Sequence, residues 1–306
     1  MSVMASHESR WCVVSADDHG PEWAPVFTTD CQRAPVQYTR MAGSTTLLQM
    51  ALHRAAQLAC PGQTMVTALD DYRPFWEPAV WHIRPENRFI GETRAASLLT
   101  GAAALLAIAH ASPSNIVTIL PARCHVEREY LLEMALEQAC FMLPGIHEGV
   151  LTFGMVDIGD PIDEDYLIAS RAVDGAGFEV RGFARKPAPW VARHLRQQGA
   201  MVASGIMIGY AGAFAAHVSR HWPGLTHRLD TLHDRSRAAG SECEVTLGLQ
   251  DGVPKAVLGS LRWNPPSFPQ RAFRVRGCGW TGLKTQRAVK AFTEYLATSD
   301  VVEKMG

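Results

Sequence analysis

The chain has 306 residues, of which 47% are hydrophobic and 19% charged, with a formal net charge of -1. That balance suits a protein with a sizeable core and gives no electrostatic reason to expect nucleic acid or an anionic membrane as partner. Seven cysteines, odd in number, widely spaced and without a C-x-x-C pair, indicate neither a disulfide framework nor a zinc knuckle. Thiols in a reducing cytosol are expected. The first ten residues lack the apolar centre of a signal peptide, and the most apolar segment, 101–109, is too short to cross a bilayer. A cytoplasmic protein is expected.

Apolar periodicity predicts a strand at Trp11–Val14 and a helix at Thr46–Ala59, with Leu48, Leu52, Ala55 and Leu58 on one face. Met65–Leu69 and Ala79–Ile83 are read as strands, the second stopped by Pro85. A helix at Thr93–Ala111 ends before Pro113, and Asn115–Leu120 is a buried strand closed by Pro121. Next come a helix at Glu127–Leu143, strands at Gly149–Val156 and Glu179–Phe183, and helices at Trp190–Gln198 and Gly212–Trp222. After Leu225 the pattern weakens until a final helix at Thr285–Leu296.

Strand and helix alternate at βαβ spacing over the first two thirds. The expected class is α/β, Rossmann-like, a mainly parallel mixed sheet with helices on both faces. No internal repeat or dividing linker is visible, so residues 1–306 are read as one domain with a core of about 11–225 and a C-terminal part 226–306. In such sheets ligands bind beyond the carboxyl ends of the strands. The turns after Val14, after Leu120 and near Phe183 are therefore where chemistry is expected.

The landmarks, in order, resemble the sugar-nucleotide pyrophosphorylases, a nucleotidyltransferase family, and most closely the mannose-1-phosphate guanylyltransferases. VVSADDHGPEWAP, from Val13, stands where the family has VVLAGGxGTRLxPL, and Pro35-Val36-Gln37-Tyr38 where it has Pro-Lys-Gln-Phe/Tyr. Thr46-Leu47-Leu48-Gln49 resembles its TLLQ helix start, Pro85-Glu86-Asn87-Arg88 its P-x-N-R, and Leu120-Pro121-Ala122 its FPADH. Thr152-Phe153-Gly154 resembles TFGI, Phe183 to Pro187 resembles FVEKP, Ser204-Gly205-Ile206 resembles NSGIF, and Gly279 to Leu283 resembles GWSDLG. The resemblance spans Trp11 to about Leu296. It implies the nucleotide-diphospho-sugar transferase fold and the transfer of a nucleotidyl group from GTP to a sugar 1-phosphate, with magnesium held by two aspartates. Gln37, Asn87, Lys186, Ser204 and Gly205 fall on positions matching the family's substrate-binding motifs. Many bacterial relatives carry a C-terminal isomerase domain, and none is expected within these residues.

The departures are concentrated in the chemistry. The opening loop keeps Gly20 but has Asp17 and Asp18 for the family's two glycines, and Pro21 and Glu22 for its Thr-Arg. Proline donates no backbone N–H. A carboxylate about 4 Å from a phosphate charge costs on the order of 4 kcal/mol at an effective dielectric near 20. Val36 replaces a phosphate-binding lysine, and the two magnesium aspartates are Arg123 and Gly282, neither able to ligate through a side-chain oxygen. No catalytic residue and no metal site is therefore assigned.

Two other pairs carry less. His217 and His221 lie at i,i+4 but lack the glutamate of a zinc-protease motif. Cys124-His125 shows no orienting group for a thiol nucleophile. The leading expectation is an impaired relative that acts in binding, regulation or scaffolding. Its partners would be a sugar phosphate or nucleotide sugar and an active homologous subunit. The alternatives are an active transferase using Asp17 and Asp18 as its metal site, and an unrelated α/β enzyme. If the fold is kept, Arg123 is expected to face the acids of the 17–22 loop.

Overall fold

The strand Arg10–Ser15 sends Cys12 and Val14 to one face and Val13 to the other, all at most 2% exposed. A strand that is apolar on both sides must be covered on both sides. A computed structural model of the chain shows this; it describes residues 10–17, 25–27, 33–42, 45–92, 97–146, 149–156, 158–159, 163–172, 177–221, 223–246 and 270–303. Cys12, Val14, Val66 and Leu120 join a core with the helices Leu47–Leu58 and Glu129–Met142. Val13, Met65, Val117 and Ile119 join another with the helices Ser97–Ala111, Ala211–His221 and Pro223–Ala239.

Among the described residues the sheet has ten strands. From one edge they run Val150–Val156, Gln270–Arg276, Phe178–Ala184, Tyr166–Ala172, Met201–Tyr210, Ile116–Pro121, Arg10–Ser15, Thr64–Leu69, Arg88–Gly91 and Cys243–Val245. The last five are parallel to one another. Met201–Tyr210 runs antiparallel to Ile116–Pro121 and begins a half in which most joins are antiparallel. Within that half, Val150–Val156 also pairs with Met201–Tyr210, so five strands close on themselves. The fold is the mixed α/β class expected, with its parallel joins among the five strands from Ile116–Pro121 to Cys243–Val245 and between Val150–Val156 and Gln270–Arg276.

Local chemistry accounts for the elements that were foreseen. The helix Leu47–Leu58 opens on a capping box: the Thr46 hydroxyl accepts the Gln49 N–H at 3.2 Å, and Gln49 Oε1 accepts the Thr46 N–H at 2.8 Å. Its stripe of Leu48, Ala51, Leu52, Ala55 and Leu58 is buried, each leucine contributing about 2 kcal/mol of transfer free energy. The helices Glu129–Met142, Pro189–Gln197, Ala211–His221 and Gln286–Glu303 also form, the last running longer than expected.

Other expectations need correction. Ala79–Ile83 is not a strand: Pro78 starts a 3-10 turn, and successive turns take the Val80 N–H to Glu77 and the Ile83 N–H to Val80. Val80 and Ile83 are buried from these turns at a spacing of three, the period of a 3-10 turn and not of a strand. Pro223–Ala239 is a helix although its apolar positions are sparse, with Leu229 buried and Leu232 packed against the same core. Met201–Tyr210, the strand joining the two halves, was missed because Ala203-Ser204-Gly205 interrupts its apolar run. Residues 93–96 of the expected Thr93–Ala111 helix lie outside the described residues. Among the described residues no helix is long and apolar enough to cross a membrane.

Candidate functional site

The carboxyl ends of the three central parallel strands meet at one level, Ser15 lying opposite both Thr67 and Pro121. The backbone knits them further: the Ala16 N–H donates to Thr67 at 2.9 Å, and the Ala122 N–H to Ser15 at 2.8 Å. Chain reversals beyond this edge bring together residues 16–17, 121–123 and 203–205.

Asp17 turns inward. Its carboxylate is 3% exposed and accepts from Ser15 Oγ at 3.0 Å, from Thr67 Oγ1 at 2.8 Å and from Thr100 Oγ1. Thr100 belongs to the helix Ser97–Ala111, so this acid anchors the strand end to the layer beneath. The Ala16 carbonyl is occupied as well, by Gln37 Nε2 at 2.8 Å and the Tyr38 hydroxyl at 2.9 Å. Asp18, Gly20 and Glu22 lie outside the described residues.

The remaining sequence candidates divide. Gln37 is fully buried and Ser204 is fully buried. Ser204 Oγ donates to the Phe153 carbonyl at 2.8 Å and accepts the Ile206 N–H at 3.1 Å, filling the bulge where Met201–Tyr210 slips against Val150–Val156. Gly205 is the exposed residue of that bulge, at φ +84, a backbone conformation that favours glycine, with Pro121 beside it. Lys186 is exposed and holds a positive φ of 35, its N–H donating to Asp165 Oδ1 at 3.1 Å. A non-glycine residue in that region is uncommon, and such backbone clusters at ligand sites. Asn87 lies at the other edge of the sheet: it precedes Arg88–Gly91, and its Nδ2 donates to Gly62, before Thr64–Leu69 begins. The structure does not bring it to the carboxyl edge.

A second set was not singled out in sequence. Asp163 and Glu164 tie the 284–285 segment, and Asp165 ties Lys186. Asp163 accepts from Thr285 Oγ1 at 3.0 Å, Glu164 Oε2 from Lys284 Nζ at 2.8 Å, and Asp165 from the Lys186 backbone. Glu164 is 3% exposed, and its other oxygen, Oε1, is buried without a hydrogen bond. Burial pushes its carboxyl up, while Lys284 and Arg123 draw it back down. Gly282 packs directly on it; a Cβ there would overlap the Glu164 carboxylate and come within 2.7 Å of the Trp280 ring. The visible sequence signal is the acidic triplet together with Lys284, two residues beyond Gly282.

These residues do not fit magnesium. The resemblance puts the two metal acids at Arg123 and Gly282, and Arg123 is a cation, 5% exposed, whose charge acts on Glu164. Of the described acids nearby, Asp17 accepts from three hydroxyls, Asp163 from Thr285, Glu164 from the Lys284 ammonium and Asp165 from the Lys186 backbone. Among the described residues no three His, Cys, Asp or Glu side chains form a group able to hold a metal. Arg123 is expected to face Asp17, Asp18 and Glu22: Asp18 and Glu22 lie outside the described residues, Asp17 accepts from Ser15, Thr67 and Thr100, and the charge of Arg123 acts on Glu164.

His217 is 2% exposed inside the helical layer, and the side chain of His221 lies outside the described residues. Cys124 is buried, donates to the Pro121 carbonyl at 3.3 Å, and has its thiol pushed up by burial, the reverse of a nucleophile's need. His125 packs on Phe292 with centroids 4.8 Å apart, and burial pushes its imidazole below the usual value. The unfolded chain therefore takes up a proton near pH 6.5 that the folded chain excludes, and stability falls as pH drops through that window. His233 is shifted in the same direction. In melts between pH 7.5 and about 5.5, His125→Leu is expected to flatten the loss without abolishing it. An unchanged slope would count against this.

No family model and no curated protein matches the sequence. Solved structures do match the fold. A Thermus thermophilus structure described as a mannose-1-phosphate geranyltransferase superposes with TM-score 0.64 at 20% identity, covering 93% of this chain and 79% of that one. A Helicobacter pylori mannose-6-phosphate isomerase gives 0.62 at 13%, covering 89% and 98%. A CMP:2-keto-3-deoxy-manno-octonic acid synthetase with CTP gives 0.50 at 14%, covering 95% and 99%. The chain has the nucleotide-diphospho-sugar transferase fold. At these identities the likeness speaks for fold alone.

Proposed function

We propose that this chain is a mannose-1-phosphate guanylyltransferase-like protein that has kept a sugar-phosphate or nucleotide-sugar cleft and lost the transfer reaction. In this reading it acts in the cytoplasm by binding, as a regulator or scaffold of an active homologous subunit. The observation that carries the reading is Glu164: locked to Lys284, it fills the space beside Gly282 that a metal-binding acid would need. Nucleotidyl transfer depends on positioning and on neutralising phosphate charge. A site whose acids are tied up internally cannot hold the cation that usually does this.

The binding half of the reading rests on Lys186 and Gly205. They are the sequence candidates that the fold leaves exposed, Gly205 beside Pro121 at the carboxyl edge. Incubation with GTP, mannose 1-phosphate and magnesium is expected to release no pyrophosphate above background, while GDP-mannose raises the melting temperature. Turnover that disappears in Asp18→Ala would overturn the reading in favour of an active enzyme with a rearranged site. Lys186→Ala is expected to weaken the GDP-mannose shift and leave the melting temperature of the free protein in place.

A further inference from the structure

We infer that the Glu164–Lys284 ion pair takes the place of a divalent cation in this cleft, so that the site is assembled without metal. This rests on the reading above for the identity of the cleft, and on the local geometry for everything else.

Three observations converge. First, the acid has moved. Gly282 has no room for a side chain because the Glu164 carboxylate occupies that space, so Glu164 and an acid at 282 exclude one another. Second, the acid has brought a counter-ion with it. Lys284 Nζ lies 2.8 Å from Glu164 Oε2, 3.4 Å from the Ala203 carbonyl and 5.8 Å from the centre of the Trp280 ring. A carboxylate, a carbonyl and an aromatic face are the surroundings of a bound cation, here supplied covalently as an ammonium. Magnesium in that volume would need near-octahedral oxygen ligands, and the described residues do not provide them.

Third, the charges balance. Arg123 and Asp165 also act on Glu164, in opposite directions. Glu164 and Asp165 against Lys284 and Arg123 leave the four charges neutral, as two aspartates and a divalent ion would be. The cations of this cluster belong to the chain, so chelators cannot remove them. The arrangement is also brittle: Glu164 is buried, and a buried carboxylate that loses its counter-ion is strongly destabilising.

The test compares the free wild-type protein with Lys284→Met in EDTA and in excess magnesium or manganese, by thermal unfolding and calorimetry with the metal alone. The wild type is expected to show the same melting temperature in all three and no saturable metal heat. Lys284→Met is expected to melt lower than the wild type in EDTA and in either metal, because the described residues offer a divalent ion too few oxygen ligands to take the place of the ammonium. Should that variant fail to fold, Glu164→Gln/Lys284→Met is expected to fold, since a neutral pair needs no counter-ion, and to ignore metal. Saturable metal binding by the wild type would overturn the inference, as would a Lys284→Met protein as stable as the wild type, or a double variant no better folded than Lys284→Met. Absence of GDP-mannose binding with these metal results intact would sink the ligand reading and leave this one standing.

Discussion

Replacing Arg54 by methionine is expected to cost about 3 kcal/mol of unfolding free energy, seen as a lower urea midpoint at unchanged slope. Arg54 projects from the helix Leu47–Leu58, is 1% exposed, and grips Glu129 with Nε and Nη2, both at 2.7 Å. Nη1 lies 3.8 Å from the Cys124 sulfur. Both ends of the bidentate pair are aligned, and its arginine end is fully desolvated. Methionine keeps most of the volume but abandons Glu129 at the first turn of its helix. The Glu129 side chain retains 31% exposure and so some hydration, which places the expectation at the low end of the roughly 3–5 kcal/mol seen when one partner of a buried pair is removed. A loss below about 1 kcal/mol, the range of a surface pair, would mean that the helix contact and not the charge holds this junction.

Gly282→Asp, the change that restores the acid suggested by the family resemblance, is expected to destabilise by at least about 3 kcal/mol and to restore no pyrophosphate release. Overpacking alone costs about 1–3 kcal/mol. Here the added atoms also place a second carboxylate on the buried Glu164, and like charges in such a site cannot both ionise. The companion Glu164→Ala/Gly282→Asp is expected to regain most of the loss, because the space and the counter-ion Lys284 then become available to Asp at 282. Equal stability of the single and double variants, by denaturant titration, would refute the exclusion between the two positions. Glu164→Ala alone completes the double-mutant cycle, informative because the residues touch.

Sequence reasoning reached the carboxyl edge of the central strands but not the chemistry on it. The capping box at Thr46 and Gln49 and the buried stripe of Leu47–Leu58 were readable because each depends on neighbours within one or two turns. So was Arg10–Ser15, apolar on both faces. The roles of Ser204 and Asn87 were not. Both matched a motif by position, yet Ser204 closes a bulge and Asn87 holds a turn at the far edge, which the one-dimensional match cannot distinguish from ligand contacts. Asp17 likewise reads as an acid in a ligand loop; its partner Thr100 is 83 residues away.

By itself the sequence determined the alternation of strand and helix, the covering of both sheet faces, and the presence of Arg123 and Gly282 where the family resemblance expects acids. Those properties follow from periodicity, caps and residue identity, which are local. Tertiary structure alone decided what stands beside them. Glu164 and Lys284 lie 120 residues apart and are ordinary surface types in sequence. They meet because Met201–Tyr210 joins the two halves of the sheet, with its Ala203 carbonyl 3.4 Å from Lys284 Nζ. Burial there turns a common charge pair into the element on which the site depends, since desolvation makes each partner costly without the other.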